Sequence, residues 1–302
     1  MKLLFQTKDN MFFLQRKLVK SYIGILKLIG ASDFKITIYQ YYLKNGVKPD
    51  LVNPKEFMEK LLWLKLNLYT EQYGKFADKY EVRNYVEEKI GKSYLSDIFG
   101  VYVSVSDINF IDLPNQFVLK GTHGSGYNII VKDKSKLNIE HTKKKLNAFL
   151  AENYYYKFCE KIYKDLKPKI LVEKYISEID NDELIDYKFH CFHGKPTYVY
   201  VQKNKSKDIR KSFYDLEWNQ ILPEDYISSF YEADFKKPDN FDEMIMVAEK
   251  LSEGFVFLRV DLYSIGNKII FGELTFFSNG GLVRSSIERF NKEFGDLMHL
   301  PQ

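Results

Sequence analysis

The chain has 302 residues, of which 45% are hydrophobic and 28% charged, so it is long enough to bury a core in two or three lobes. Its 45 basic and 41 acidic residues are interleaved, and this balance argues against a protein that binds nucleic acid. The two cysteines, Cys159 and Cys191, form no CxxC pair. We therefore expect neither a disulfide scaffold nor a zinc site, and a cytoplasmic location.

Apolar residues dominate the first 30 positions but are interrupted by Lys17, Lys20 and Lys27. This pattern predicts an amphipathic helix rather than a signal peptide or a membrane-spanning segment. We expect the helix to pack against the body of the protein. Contact with a membrane surface is the alternative.

The next part of the chain also predicts helices. Asn53 and Pro54 suit a helix N-cap and first turn, and they precede apolar residues at helical spacing. These apolar residues are Phe57, Leu61, Leu64 and Leu68. A second helix is predicted over residues 74–91, with Lys79 and Arg83 on one face.

From Asn115 onward, β-branched runs alternate with turn residues. The patterns predict a strand–loop–strand unit, a long helix over 141–163, a strand that leaves into a loop over 169–179, a hairpin turning at Gly194-Lys195, a helix over 241–255 and a final hairpin over 255–276. There is no regular strand–helix–strand alternation. The sequence therefore predicts an antiparallel α+β fold rather than a dinucleotide-binding fold.

A glycine-rich loop separates two predicted strands in FVLKGTHGSGYNIIVKD, residues 117–133. Glycines let loop N–H groups approach an anion, Thr122 and Ser125 add hydroxyl donors, and Lys120 adds a full charge. The loop is followed by a strand, so it is not the GK[ST] phosphate loop. A flap over nucleotide phosphates and a plain hairpin loop both fit this pattern.

Two carboxylates are expected to face each other on the final hairpin. A turn of three or five residues centred on Asn267 would set Asp261 opposite Glu273, and Arg259 opposite Thr275. Because facing like charges destabilise a hairpin, a cation should lie between them, and Mg²⁺ prefers such oxygen ligands. An even-length turn without a bulge would separate the two carboxylates. The same alternation predicts which side chains share a face of the second strand, namely Phe271, Glu273 and Thr275.

The stretch LVEKYI ends an apolar strand at Glu173, Lys174 and Tyr175. Free backbone groups at a strand end can pair with the edge of adenine, although an ordinary strand end is equally consistent. In DYKFHCF, alternation places Asp186, Lys188 and His190 on one face. Lys188 could meet phosphate and Asp186 a ribose hydroxyl. His190 and His193 lack a third ligand at zinc-site spacing.

The motifs described above, in their order along the chain, resemble those of the TupA-like ATP-grasp family. Its members are polysaccharide-biosynthesis proteins, some described as glycosyltransferases. The resemblance rests on NPKEFMEKLLWLKL, FADKYEVRNYV, PNQFVLKGTHGSG, LVEKYI, DYKFHCFHGKP and FLRVDLYSIGNKIIFGELTF, and covers roughly residues 52–281. It implies an ATP-grasp fold in which two α+β lobes sandwich the nucleotide. We expect a helical region over 1–74, an N-terminal lobe over 75–172 and a C-terminal lobe over 173–302.

The resemblance also implies residue roles. The implied nucleotide-binding residues are Lys120, His123, Gly124, Ser125, Gly126, Glu173, Lys174, Tyr175, Asp186 and Lys188. The implied metal ligands are Asp261, Glu273 and Thr275, and the implied catalytic residues are Arg259 and Lys188. Many ATP-grasp enzymes have asparagine where this chain has Thr275, so a second metal ion is in doubt, although Asn279 could substitute.

The family implies an ATP- and Mg²⁺-dependent ligase that joins a carboxylate to an amine through an acyl phosphate and releases ADP. The expected acceptor is a carboxylated sugar, such as a uronic acid of a capsular or cell-surface polysaccharide. The alternatives are a glycosyltransferase using the D-x-D sequence Asp180–Asp182, a non-catalytic binding protein and a kinase. Candidate acceptor contacts are Lys60, Trp63, Asp78, Lys79, Arg83 and Arg284.

Overall fold

A computed structural model describes residues 17–176, 184–205, 208–221, 235–285 and 288–301. The chain divides into two compact units. The first comprises Met1–Thr70, Tyr155–Lys161 and Phe277–Gln302, and the second comprises Glu71–Tyr154 and Ile162–Phe276. The three-part division expected from the sequence stays a prediction. Within the described ranges, no helix has the length and apolar character needed to cross a bilayer.

The helices in chain order are α1 (17–28), α2 (Asp33–Asn45), α3 (Phe57–Asn67), α4 (Gly74–Ala77), α5 (Val82–Ile90), α6 (Ile139–Ala151), α7 (Tyr155–Phe158), α8 (Phe241–Ser252) and α9 (Glu288–Leu297). The strands are β1 (Ile98–Tyr102), β2 (Phe117–Gly121), β3 (Asn128–Val131), β4 (Ile170–Lys174), β5 (Ile185–Phe192), β6 (Lys195–Lys205), β7 (Asp208–Tyr214), β8 (Phe257–Ile265) and β9 (Lys268–Thr275).

The strands form two antiparallel sheets, both in the second unit. One has four strands in the order β1-β4-β2-β3, and the other has five in the order β7-β6-β5-β8-β9. The predicted antiparallel α+β class is therefore confirmed. The sequence patterns missed β1 and β7.

The five-stranded sheet has one apolar face, which α8 covers. Phe241, Met244 and Leu251 of α8 are fully buried, and the ring of Phe241 stacks on that of Phe189 in β5 at 5.7 Å. Alternate residues of the strands face α8, so the remaining residues form the opposite face. That opposite face carries the charged side chains described below.

The four-stranded sheet has its own core, in which Phe117, Leu119, Val172 and Leu146 of α6 are buried together. Strand β4 lies between β1 and β2, so both of its edges are paired. This interior position explains why its first three residues, Ile170, Leu171 and Val172, are apolar and fully buried.

A buried lysine holds three stretches of the first unit together. The ammonium group of Lys65 in α3 donates to the carbonyl oxygens of Phe158 at 3.0 Å and Gly280 at 2.8 Å. Burial lowers the pKa of Lys65 to about 8 and raises the pKa of nearby Glu160 to about 7.

The start of α3 corrects one prediction. The helix begins at Phe57, and Glu56 is its N-cap, in a capping box with Glu59. Asn53 instead lies in a turn, where its N–H donates to Asp50 at 2.9 Å. The reciprocal capping by two carboxylates therefore replaces the predicted Asn53 cap.

The helix predicted over 74–91 is broken at Asp78, whose backbone is extended. The Asp78 carboxylate accepts hydrogen bonds from the N–H groups of Tyr80 and Glu81, at 2.8 and 2.9 Å, and so opens α5. Lys79 lies in the break and does not share a helix face with Arg83, contrary to the prediction.

Two further boundaries also differ from the predictions. The long helix predicted over 141–163 ends at Ala151, before the separate short helix α7. The β5–β6 hairpin turns at His193-Gly194, one residue earlier than predicted, and both residues have positive φ angles, 50° and 78°. A two-residue turn with this geometry matches the twist of a hairpin.

Candidate functional site

The final hairpin sets its two acidic residues opposite each other, as predicted. In the β8–β9 ladder, Asp261 pairs with Glu273 and Arg259 pairs with Thr275. The predicted turn of three or five residues is wrong, because residues 266–267 form a two-residue turn. The facing pairs are obtained through a β-bulge instead.

The bulge places Gly272 as an extra residue in β9. The pair after Asp261–Glu273 is Leu262–Phe271, so Gly272 has no partner of its own. A Cβ at Gly272 would lie 2.9 Å from the carbonyl oxygen of Asp261, which explains the glycine. Because of the extra residue, Phe271 shares the face of Leu262, and its predicted position on the face of Glu273 is wrong.

The positive charge between the two carboxylates belongs to the chain itself. The guanidinium of Arg259 contacts Asp261 at 2.7 Å with both Nε and Nη2. Its Nη2 also lies 3.0 Å from the Thr275 hydroxyl and 3.5 Å from Glu273 Oε1. Burial would raise the pKa of Asp261, but Arg259 and Lys188 together hold it below its usual value.

Strand β5 adds a second cation and a third carboxylate. Lys188 pairs with Asp261 across the ladder, and its Nζ lies 3.0 Å from Asp261 Oδ2 and 3.2 Å from Asp186 Oδ2. Burial would lower the pKa of Lys188, but the two carboxylates raise it above its usual value. We call this set of residues the polar strip: Asp186, Lys188, Arg259, Asp261, Glu273 and Thr275.

His190 follows Lys188 on the same face of β5, as predicted, opposite Arg259. Burial and the neighbouring guanidinium lower the pKa of His190 to about 3, so its imidazole is neutral. Burial raises the pKa of Cys191, on the other face, to about 12. Neither side chain has the properties of an activated nucleophile or base at neutral pH.

In the four-stranded sheet, Lys120 and Glu173 form an ion pair. Lys120 Nζ lies 2.6 Å from Glu173 Oε2, and Arg83 lies 3.9 Å from the other carboxylate oxygen. Arg83 also donates to the carbonyl oxygen of Ser96 at 2.8 Å. The Glu173 side chain is thus held between two cations on neighbouring elements.

The backbone of the predicted hinge is largely paired. Glu173 pairs with Ile98 on one side and Val118 on the other, and the N–H of Lys174 donates to Asp97 at 2.9 Å. The backbone that lies beyond the hydrogen-bonded part of β4, and that was predicted to pair with adenine, therefore begins at Tyr175.

Beside this strand end lies a cavity of about 320 Å³. Its lining has an apolar part, formed by Leu95, Ile176, Ile265 and Ile270, and a polar part, formed by Ser96, Asp97, Lys174, Tyr175 and Lys268. Apolar walls with a few polar groups suit a flat heteroaromatic ring. Of these residues, the sequence singles out Lys174 and Tyr175.

The glycine-rich loop between β2 and β3 is buried at its base and exposed at its tip, Ser125 and Gly126. A Cβ at Gly124 would lie 2.6 Å from the ring of Tyr127, so glycine is required there. His123 is buried, and its Nε2 bonds to the carbonyl oxygen of Phe149 at 2.9 Å.

Lys79 contacts this loop and is close enough to Glu273 of the polar strip to feel its charge, a placement the sequence did not indicate. Its ammonium group donates to the carbonyl oxygen of Gly124. Burial lowers the pKa of Lys79, while Glu273 opposes the shift and Lys120 adds to it. The sequence signal was hidden because Lys79 had been assigned to a helix face.

Besides Lys79 and Arg83, three more candidate acceptor contacts have structural partners. The Asp78 carboxylate accepts from the N–H groups of Tyr80 and Glu81, as described above. Lys60 donates to the carbonyl oxygens of Gly295 and Met298 at 2.8 and 2.9 Å. Arg284 forms a two-pronged pair with Glu56 at 2.7 and 2.6 Å. The D-x-D sequence Asp180–Asp182 lies outside the described residues.

Asp261 and Glu273 can supply some, but not all, of the ligands that a single hard cation needs. Glu273 Oε2 accepts no hydrogen bond from the described residues, and Asp261 retains part of its acceptor capacity. The Thr275 hydroxyl already accepts a hydrogen bond from Arg259 Nη2 at 3.0 Å, and a neutral hydroxyl beside that cation is a poor metal ligand. No group of three or more acidic, His or Cys ligands occurs in the described ranges, so phosphate oxygens or water would have to complete the coordination.

Several solved structures are similar to this chain. A D-alanine–D-alanine ligase from Bacillus anthracis complexed with ATP is 14% identical, with a TM-score of 0.43 over 74% of this chain and 64% of that one. A RimK domain ATP-grasp protein from Sphaerobacter thermophilus is 12% identical, with a TM-score of 0.41 over 74% and 65%. The ATP-grasp ligase PsnB, in complex with a phosphomimetic variant of its minimal precursor, Mg and ADP, is 9% identical, with a TM-score of 0.43 over 80% and 65%.

The chain thus spans less than two thirds of the length of each of these structures. Among curated proteins, none matches it. The sequence model of the family described as TupA-like ATPgrasp matches residues 59–299, a range that includes Lys120, Glu173 and the whole polar strip. This match confirms the family and the fold expected from the motifs: the chain belongs to the TupA-like ATP-grasp family.

Proposed function

We propose that the protein is an ATP-dependent ligase that joins a carboxylate to an amine, forms an amide and releases ADP and phosphate. The observation that carries this proposal is the polar strip. There Lys188 and Arg259 lie against Asp261 and Glu273 on one face of the five-stranded sheet. Such an array suits the binding of a triphosphate and a reacting carboxylate.

The nucleotide would lie along the second unit. The cavity beside Tyr175 and Ile176 would hold the adenine ring, and Asp186 would accept a ribose hydroxyl. Lys120 would contact the phosphates, in competition with its present partner Glu173. The exposed loop tip, Ser125 and Gly126, would cover the phosphates and exclude water from the reacting groups.

In the reaction, the γ-phosphoryl group passes from ATP to an oxygen of the acceptor carboxylate, and ADP leaves. The amine then attacks the acyl carbon, the C–N bond forms and phosphate departs. Lys188 and Arg259 offset the negative charge on the phosphoryl oxygens throughout. Mg²⁺ held by Asp261 and Glu273 would supply further positive charge at the phosphates. This route needs no side-chain nucleophile, in keeping with neutral His190 and protonated Cys191.

The acceptor we favour is a carboxylated sugar, such as a uronic acid of a capsular or cell-surface polysaccharide. This choice rests on the resemblance to the TupA-like family. The amine donor is an amino acid or another small amine.

The test is incubation with Mg-ATP, a panel of uronic acids and a panel of amines, with ADP measured by a coupled assay. We expect ADP release that requires both an acceptor and an amine. ADP formation with the acceptor alone would identify a kinase instead. Thermal stabilisation by a nucleotide-sugar but not by ATP would favour a glycosyltransferase.

A further inference from the structure

We propose that the carboxylated sugar binds by stacking its ring on an aromatic platform beside the polar strip, formed by Tyr198, Tyr200 and Phe213. This assignment rests on the ligase function proposed above, and it names the residues that recognise the sugar ring. The sequence had singled out none of the three.

The aromatic platform lies on the same face of the five-stranded sheet as the polar strip. Side chains paired across neighbouring strands point to the same side of a sheet. Tyr200 of β6 pairs with Lys188 of β5 on one side and with Phe213 of β7 on the other. Tyr198 pairs with His190 on the same face. The face of the polar strip therefore continues over β6 and β7, where aromatic rings take the place of charges.

Burial distinguishes the two faces of β6 and β7. The side chains on the face that α8 covers are buried, namely Val199, Val201, Ser212 and Tyr214. The platform residues occupy the alternate positions and are only half-buried. Part of the aromatic surface is therefore open to a ligand, on the face that also carries the reacting charges.

The rings of the platform support one another. The ring centroids of Tyr200 and Phe213 are 4.7 Å apart, and the Phe213 ring lies 5.9 Å from the imidazole of His190. Packing on several sides limits the rotamers that each ring can adopt. The aromatic surface is thus formed before a ligand arrives, which lowers the entropy cost of binding.

The chemistry of this surface matches a pyranose ring. Such a ring has a flat apolar face of C–H groups and a rim of hydroxyls, and aromatic rings suit the apolar face. Gln202 and Lys211 pair across β6 and β7 in the next row of the same face, and both are half-buried. The Gln202 amide can donate to and accept from hydroxyls, and Lys211 adds a positive charge for an anionic sugar.

The strand register sets the sugar beside the reacting groups. Tyr200, Lys188 and Asp261 form one row across three strands. Neighbouring strands lie about 5 Å apart, a spacing close to the width of a pyranose ring. A ring stacked on Tyr200 therefore places the carboxylate that it carries beside Lys188. Arg259 shares Asp261 with Lys188, so both cations of the polar strip are near that carboxylate.

Saturation-transfer NMR on the full-length chain tests the platform without requiring turnover. The probes are glucuronate and galacturonate, in the presence of Mg²⁺ and a non-hydrolysable ATP analogue. We expect saturation to pass mainly to the C–H protons of the sugar ring. Tyr200→Ala should weaken binding of the uronic acid about tenfold, whereas Tyr200→Phe keeps the ring and should retain the affinity within about threefold.

Tyr156→Ala is the matched control, because Tyr156 is 66% exposed and belongs to the first unit. It should bind the uronic acids as the unchanged protein does. Circular dichroism verifies that each variant is folded. If Tyr200→Ala does not fold, Gln202→Leu replaces it, since this change removes the amide beside the platform and should weaken binding about fivefold to tenfold.

Three further probes separate the ring from the carboxylate and from a nucleobase. Methyl glucoside has the ring without the carboxylate, and its weaker binding should also depend on Tyr200. Acetate has the carboxylate without the ring, so Tyr200→Ala should not affect it. Uridine monophosphate offers a base instead of a sugar acid. If it binds in a manner that Tyr200→Ala abolishes while neither uronic acid binds, the platform holds a base and the proposal is overturned.

The outcomes also separate this proposal from the ligase function. No binding of either uronic acid, or equal loss in Tyr200→Ala and Tyr156→Ala, would overturn the platform. So would turnover of a uronic acid whose affinity Tyr200→Ala leaves unchanged, although the ligase function would then stand. Binding that depends on Tyr200, without ADP release for any amine, would support the platform and contradict the ligase function.

Discussion

Lys188 and Asp261 lie directly opposite each other on neighbouring strands, and the lysine donates to the carboxylate at 3.0 Å. Arg259 binds the same carboxylate from its own strand at 2.7 Å. Asp261 is 2% exposed, so two cations share one buried carboxylate. The charges in the polar strip therefore stabilise one another. Removing one of them leaves the others buried with less compensating charge.

The first prediction compares two carboxylates of the strip. Asp261→Asn should lower the free energy of unfolding by about 3 kcal/mol, because it removes the buried carboxylate that both cations share and leaves Lys188 with Asp186 alone. Glu273→Gln should cost less than about 1 kcal/mol, because Glu273 is partly exposed. Both variants should lose ADP release. Urea unfolding and the coupled assay measure the two quantities, and retained turnover in either variant would remove that residue from the site.

The second prediction concerns the bulge. Gly272→Ala places a methyl group 2.9 Å from the carbonyl oxygen of Asp261, so the backbone must shift beneath the two acids. We expect a loss of about 1–3 kcal/mol in stability and a fall in ADP release. Gly24→Ala in α1 is the control, since no atom lies within 4 Å of the position that a Cβ would take there, and it should be neutral or slightly stabilising. Equal behaviour of the two variants would show that the bulge has no role.

The third prediction concerns Lys120. Lys120→Gln should weaken binding of a non-hydrolysable ATP analogue about tenfold to a hundredfold, since it removes a charged hydrogen-bond donor. Lys143→Gln is the control, because Lys143 forms an ion pair with Glu140 on the surface of α6. Isothermal titration calorimetry gives the affinities. If Lys120→Gln loses stability but binds the analogue normally, the ion pair with Glu173 is purely structural.

The fourth prediction is a pH dependence in the first unit. The pKa of Glu160 is about 7 in the folded protein, above its usual value near 4.5. A raised folded pKa means that stability is full below about pH 4.5 and is lost as the pH rises through about 7. Glu160→Gln should remove this decline, which we expect to be on the order of 1–3 kcal/mol. Urea midpoints between about pH 5 and 8 test it, and parallel curves for the two proteins would contradict it.

The alternation of side chains along strands made much of the polar strip predictable. Lys188 falls on the face of Asp186 and His190 because strands alternate, whereas the pairing of Asp261 with Glu273 also depends on the turn and on the bulge at Gly272. The length of the turn was not predictable, because two-residue and longer turns both accommodate Gly266 and Asn267. The bulge at Gly272 depends on close packing against Asp261, which only the folded backbone reveals.

Other features depended on contacts between distant parts of the chain. The break at Asp78 was missed because its carboxylate binds the N–H groups of Tyr80 and Glu81 ahead of α5, and helix propensity alone does not predict such a local turn. Strand β1 was missed because it is short and contains Gly100. The cavity beside Tyr175 was missed because its walls come from separate stretches, which include Leu95 and Ile270.

The first unit is assembled from three separate stretches, and Lys65 contacts a carbonyl oxygen in each of the other two. During synthesis on the ribosome, α3 emerges long before Gly280. The unit that contains the earliest helices is therefore among the last to be completed. Until the stretch after residue 277 has been translated, the Lys65 ammonium lacks one of its acceptors, so a nascent chain arrested before that point should expose α3 to proteases and chaperones.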